Sequence, residues 1–315
     1  SFTKRGLIGQ ISLLTSKIFD INLRDVILIF QITLIAIYFF LIYNLLKNTK
    51  TDQYVLLSIF TPIFLLYPIA EIEVLARKEI FIFSIFLVYL LFPSKNFFLK
   101  NLYKVIFLVI SVLIWEPVIF FILFWFAIEI IENKYRRIDV SLVKSIVFYL
   151  PAFLIAIYIA LNPISDEHHT LMVNNLKNNF NEECYMSCAL LKSKSSIYQQ
   201  FAGNFGKYSL EIFVRYFLII IIGFGPLFLL LKNSKIKNQK LLFFNIFKNL
   251  LNPFLIILSP VLLLFAMGYD WGRWVNISYV FSITFYVYLL KKNMITRKKI
   301  NFDKRIRFNK KFFVY

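Results

Sequence analysis

Cysteine, histidine, glycine and acidic side chains are all scarce in this 315-residue chain, and each scarcity removes a class of chemistry. The only cysteines, Cys184 and Cys188, and the adjacent His168 and His169 match no standard zinc spacing. A thiol ligand outside a membrane is also prone to oxidation, so no metal site is expected. A disulfide joining the two cysteines would close a short loop and contribute little. The eight glycines form no nucleotide-binding Gly-rich loop, and there is neither a nucleophile elbow nor a His-Glu-x-x-His helix. Seventeen acids stand against 36 lysines and arginines, a formal net charge of +19. In a soluble protein that excess would suggest nucleic acid.

What is abundant overrules that suggestion. The chain is 59% hydrophobic and 19% aromatic with a mean hydropathy of +0.70, more apolar surface than a soluble globule of this length can hide. Apolar runs of about 15–20 residues suit helices crossing a hydrocarbon layer of about 30 Å, not the short alternating strands of a barrel. They lie near Val26–Asn44, Tyr54–Ala70, Glu79–Phe92, Leu102–Trp115, Pro117–Ile131, Ser145–Leu161, Leu210–Leu231, Asn252–Met267 and Val275–Leu290. The expected fold is therefore an all-α polytopic bundle of about nine segments. One pair is broken at Trp115-Glu116-Pro117, where proline removes an N–H and clashes with the preceding turn. At about 14 residues each, the two halves are expected to dip into the membrane without crossing it.

Charge supports the break. With it, the segments Lys47–Gln53, Ser94–Lys104, Glu132–Lys144, Lys232–Leu250 and the tail from Lys291 share one side. They hold 24 of the 36 basic residues, against the acids Asp52, Glu129, Glu132, Asp139 and Asp303. The whole positive excess then falls on one face and the other is neutral, the positive-inside pattern. Reading Leu102–Ile131 as a single helix spoils this partition. The C-terminus is thus expected inside and Ser1 outside. An outer start with no cleavable signal implies an upstream helix.

Residues Ser1 to Leu290 are read as one membrane domain and Lys291 to Tyr315 as a basic cytoplasmic tail meeting anionic lipid. Within the former, Ser1 to Asp25 is an outer segment. Its Leu7, Ile8, Ile11, Leu14, Ile18 and Ile21 recur at helical spacing opposite Lys4, Lys17 and Asp20, so Leu7 to Phe19 is expected to lie on the membrane surface. Asn162 to Ser209 is a long polar outer loop.

Charges at membrane depth are expensive and usually kept for function. The outer face collects Arg5, then Glu71, Glu73, Arg77, Lys78 and Glu79, then Glu116, then Glu211 and Arg215, then Asp270 and Arg273. Each cluster has a bland reading. Glu73 with Arg77 and Glu211 with Arg215 are spaced for pairs along a helix, Asp270 and Arg273 can pair locally, and Trp271 and Trp274 suit an interfacial belt. The functional reading gives Arg77, Lys78 and Arg273 a phosphate to grip, Glu116, Glu71 or Asp270 the role of base, and the two indoles a sugar to stack on.

Arg5-Gly6-Leu7-x-Gly9 opening an amphipathic outer segment, Arg77-Lys78-Glu79 entering a helix, a Glu at the turn of a broken pair, and Asp270-Trp271-Gly272-Arg273-Trp274 near the end together resemble bacterial multi-pass envelope glycan proteins. These are the membrane glycosyltransferases of the C-type fold and the O-antigen or exopolysaccharide polymerases. The resemblance implies a bacterial inner-membrane protein that transfers sugar from a polyprenyl-phosphate-linked donor on the extracytoplasmic face. Glu116, Asp270 and Glu71 would be catalytic. Arg5, Arg77, Lys78, Arg273, Trp271 and Trp274 would bind substrate; the sequence indicates no cofactor and does not reveal whether a divalent metal is needed. In C-type enzymes the usual base is an acid early in the first outer loop; no acid precedes Asp20 here, which places that base upstream of Ser1 or counts against the assignment. The alternative is a transporter or flippase of lipid-linked glycan with no chemistry of its own.

Overall fold

A computed structural model of the chain describes residues 6–49, 51–65, 78–94, 96–162, 164–183, 197–237, 241–268 and 270–298. Those residues are helical apart from turns and one two-stranded antiparallel pairing, β1 (Ser234–Ile236) with β2 (Ile295–Arg297). Four helices are long and apolar enough to cross a membrane: α2 (Leu23–Leu46), α5 (Phe97–Ile114), the bent helix of α7 (Val140–Val147) and α8 (Leu150–Leu161), and α11 (Leu210–Lys232). Their outward faces carry Leu28, Ile32, Phe40, Leu154, Phe217 and Ile222, all exposed. Water would make that surface costly at about 25 cal/mol per Å², whereas lipid accepts it.

The most buried element is not among those four. Helix α14 (Trp271–Lys291) packs against α2, α4 (Glu79–Leu91), α6 (Ile122–Glu132) and α11. Tyr279, Phe281, Phe285, Tyr286 and Tyr288 on it are fully buried. Asn276, Ser278, Ser282 and Thr284 lower its hydropathy, and all four are buried within the protein. Two of its polar groups repair irregular backbone. After α3 (Gln53–Ile59) the chain leaves helical geometry, Tyr279 Oη donates to Ser58 O at 2.7 Å, and Asn276 Nδ2 donates to Ile63 O at 3.0 Å. In hydrocarbon those carbonyls would have no other donor.

The break at Trp115 is present. Trp115 is extended (φ −159°, ψ 99°), and Glu116–Phe121 then forms a 3-10 turn leading into α6. The chain reverses there, because Lys100 Nζ meets Glu132 Oε2 at 2.8 Å and Lys104 Nζ meets Glu129 Oε2 at 2.9 Å across the two limbs. The expected short limbs are corrected. Helix α5 has 18 residues, about 27 Å, and is long and apolar enough to cross a membrane, while the 3-10 turn with α6 runs back for about 28 Å. Lys104 was counted with the charges at one end of the bundle; it lies inside α5, 1% exposed. Its charge is tolerated because Glu129 neutralises it. Ser145 Oγ accepts from Lys104 at 2.9 Å and donates to Glu129, while Tyr149 Oη donates to Glu129 at 2.7 Å.

The segments expected on one side do gather at one end of the bundle. Lys291 Nζ caps the end of α2 through Asn44 O and Lys47 O, Arg297 pairs with Asp52 at 2.6 Å, and Tyr288 Oη donates to Glu132. At the other end Arg24 forks onto Glu182, after α9 (Asp166–Phe180), at 2.5 and 2.9 Å. Helix α1 (Leu7–Phe19) covers the expected amphipathic stretch. Its small residues Ser12 and Ser16 are the buried ones, each hydroxyl bonded to backbone, while Ile11, Leu14, Ile18 and Phe19 are exposed.

Removing one partner of the buried pair should be severe. Lys104→Ala is expected to cost about 3–5 kcal/mol, read as a lower Tm in detergent, and Lys104→Met with Glu129→Leu should recover much of it. A second expectation concerns pH. The Arg24 guanidinium holds the Glu182 carboxyl below the usual carboxylate range, so the tie is complete above that range and is lost as pH falls through the lowered value. Hydrogen-exchange protection along Asp166–Phe180, taken relative to the intrinsic rate at each pH, should fall on acidification, and Arg24→Ala should remove that pH dependence.

Candidate functional site

At the end of the bundle opposite Lys291, α14 begins at Trp271 with Asp270 at its N-cap. The Asp270 side chain does not cap the helix. It lies beside Arg273, with Nη1 to Oδ2 at 3.4 Å, as an exposed local pair. The other guanidinium nitrogen, Nη2, donates to Glu79 Oε1. Glu79 opens α4, where the partial positive charge of the helix start favours an acid, and it is 3% exposed. Arg273 thus ties the start of α14 to the start of α4, 194 residues apart in sequence.

Two indoles wall this ion pair. The Arg273 guanidinium lies 5.8 Å from the Trp115 ring centre and 5.7 Å from that of Trp274. The two rings stack on each other at 5.7 Å and 23°. Apolar walls strengthen the attraction between the charges and make any unmet polar atom costly. Such atoms remain: Glu79 Oε2, Arg273 Nε and Trp115 Nε1 are buried without hydrogen-bond partners among the described residues. The cluster therefore retains one acceptor and two donors unmet.

Glu116 follows Trp115 directly and Lys78 precedes Glu79, so both stand beside the cluster, each half-buried and each already engaged in an interaction. Chain position thus brings Lys78, Glu116, Asp270, Arg273 and Trp274 to one end of the bundle. Trp271 does not join them. Its indole is buried against Tyr208, Phe213, Tyr216 and Phe265, and its Nε1 donates to Phe265 O at 2.8 Å. The expectation that Trp271 and Trp274 present open faces to a sugar is corrected: they are 7% and 8% exposed and pack on protein groups. Glu211 and Arg215 form the local pair their spacing suggests, at 2.6 Å and exposed. Arg5, Glu71 and Arg77 lie outside the described residues, as do Glu73, Cys184 and Cys188.

Sequence reasoning placed Glu79 among the outer-face charges and Trp115 at the break but gave neither a role in the site. Nothing local marks Trp115 as the wall of a site formed by α14. Among the described residues, no group of three or more His, Cys, Asp or Glu side chains is arranged to hold a metal ion. Comparison of the chain with protein-family models, curated proteins and solved structures finds no match.

Because Arg273 balances a buried carboxylate, its loss should act through Glu79. Arg273→Ala is expected to lower stability by about 3–5 kcal/mol. Adding Glu79→Gln should return part of that, with a coupling of about 1–3 kcal/mol in a double-mutant cycle of thermal midpoints. Strictly additive effects would mean the pair carries no net stabilisation.

Proposed function

We propose that this chain is a polytopic bacterial inner-membrane protein of about nine segments with a cytoplasmic C-terminus. It transfers a sugar or oligosaccharide from an undecaprenyl-type phosphate carrier to a glycan acceptor at the extracytoplasmic end. Helix α14 supports the larger segment count, since its 21 residues reach about 31 Å even though its polar side chains make it less apolar than the other four. The positive-inside partition supports the orientation.

The observation that carries the proposal is the convergence of Lys78, Glu79, Trp115, Glu116, Asp270 and Arg273, from three distant parts of the chain, at one end of the bundle. In the transfer, an acceptor hydroxyl oxygen attacks the anomeric carbon as the bond from that carbon to the carrier phosphate breaks. The electron pair leaves on the phosphate oxygen and the acceptor proton passes to a carboxylate. Asp270, 52% exposed, and the half-buried Glu116 are the carboxylates placed to take it, with Glu71 outside the described residues as the third candidate. Lys78 and the unpartnered Nε edge of Arg273 stabilise charge on the departing phosphate, joined in this reading by Arg5 and Arg77. Trp274 and Trp115 hold Arg273 in place.

A second reading, a transporter or flippase of the same lipid-linked glycan, draws on discontinuous helices. The chain leaves regular helical geometry after Ile59 and at Trp115–Phe121, and discontinuous helices mark many transporters. The two readings separate experimentally. Glu116→Gln and Asp270→Asn should each reduce surface glycan about 100-fold or more while the protein still inserts; full glycan in both would eliminate the transferase. A cysteine at position 116 should label from the outer side alone, and labelling from both sides would establish alternating access.

A further inference from the structure

A second site lies at the opposite end of α14. A cavity of ≈ 220 Å³ is lined by Lys235, Ile236, Phe244, Phe247, Lys248 and Asn249, among others. It is far larger than the about 10–15 Å³ that admits one water. Its frame is fixed by hydrogen bonds. The Leu250 N–H donates to Ser234 O at 3.0 Å and Leu231 O at 3.2 Å, and Asn249 Oδ1 accepts from Leu251 N at 3.1 Å. Ile236 pairs with Ile295 in the short sheet, and Ser234 Oγ contacts Tyr286 Oη at 3.0 Å, anchoring the wall to the buried helix. Tyr286 lies 13 residues beyond Arg273, roughly 20 Å along α14.

The lining pairs charge with aromatic surface. Lys235 is half-buried and Lys248 exposed, and neither has an ion-pair partner among the described residues. No acid occurs anywhere from 212 to 269, so the nearby sequence supplies no counter-charge. Beside the lysines, Phe243, Phe244 and Phe247 contact one another edge to face, and Ile246 is 75% exposed. At the surface of a membrane such a layout sets ammonium groups at phosphate depth and rings at the acyl boundary.

We propose that this cavity binds the phosphodiester headgroup of an anionic phospholipid, with Lys235 and Lys248 on the phosphate and the phenylalanine cluster against the upper acyl chains. Free inorganic phosphate offers at least as much negative charge but no apolar part, so the aromatic half of the site selects the lipid. The site lies at the end that gathers the positive excess, where cytoplasmic anionic lipid is met. It is remote from the Arg273 cluster and independent of the reaction proposed there.

The test is native mass spectrometry of the full chain in detergent with short-chain phosphatidylglycerol, short-chain phosphatidylcholine and inorganic phosphate as probes. Phosphatidylglycerol should be retained in preference to phosphatidylcholine, and equimolar inorganic phosphate should not displace it. Lys235→Gln with Lys248→Gln should weaken retention about 30-fold, and Lys248→Gln alone about fivefold. Lys292→Gln, at the same end but outside the cavity, should leave it unchanged. If the double variant elutes aggregated, the exposed single variant decides the matter. Equal retention of the two lipids, displacement by inorganic phosphate, or full retention in Lys248→Gln would each overturn the proposal.

Discussion

A hydrocarbon surround supplies no hydrogen bonds and little screening, so every charge and every irregular carbonyl at depth has to be answered from within the protein. Helix α14 supplies many of those answers. Tyr279 and Asn276 meet carbonyls freed where α3 ends, Tyr286 meets Ser234, Tyr288 meets Glu132, and Arg273 meets Glu79. Its polarity, which makes it a weak apolar span by composition, is what answers the carbonyls of Ser58 and Ile63 and the side chains of Ser234, Glu132 and Glu79. Lys104 and Glu129 solve the same problem between α5 and α6, with Ser145 and Tyr149 completing the coordination of the carboxylate.

Much of this architecture was legible in sequence because two signals are one-dimensional. Apolar runs locate helices, and the sorting of lysine and arginine groups their ends. Leu7–Phe19 and the break at Trp115 were both visible, the first through its period and the second through Pro117. The extent of α5 was not. The run judged by apolarity starts at Leu102, whereas the helix begins at Phe97, with Glu129 and Glu132 on the returning limb neutralising Lys104 and Lys100. Ion pairs between helices carry no local pattern.

The site was legible in the same partial way. Asp270 and Arg273 stand out as charges between two apolar runs, and their local pairing follows from spacing. That Arg273 spends its stronger contact on Glu79, with Trp115 as a wall, depends on which helix starts end up adjacent. Trp271 shows the opposite failure. Its position beside charged residues suggested a ligand contact, yet the turn of α14 points it away into Tyr208, Phe213 and Tyr216. Residues adjacent in sequence at a helix start diverge by about 100° per position, so a motif of six residues cannot all face one site.

The two ends of α14 handle charge differently, and that difference assigns their roles. Around Arg273 the positive charge is enclosed by carboxylates and indoles, leaving only single unmet atoms such as Arg273 Nε and Glu79 Oε2. Such a site is pre-organised: it can respond to charge developing on a bound group without first gathering its side chains. Around Lys235 and Lys248 no carboxylate is close in sequence, and the cations border an open aromatic cavity. Exposed lysines of this kind attract an anion at the surface but cannot hold a reacting group rigidly, since each ammonium ends a flexible stem. The reaction proposed for this chain suits the first end, and the proposed lipid contact suits the second. The helix between them is buried along its length, which fixes the separation of the two sites whichever lipid occupies the second.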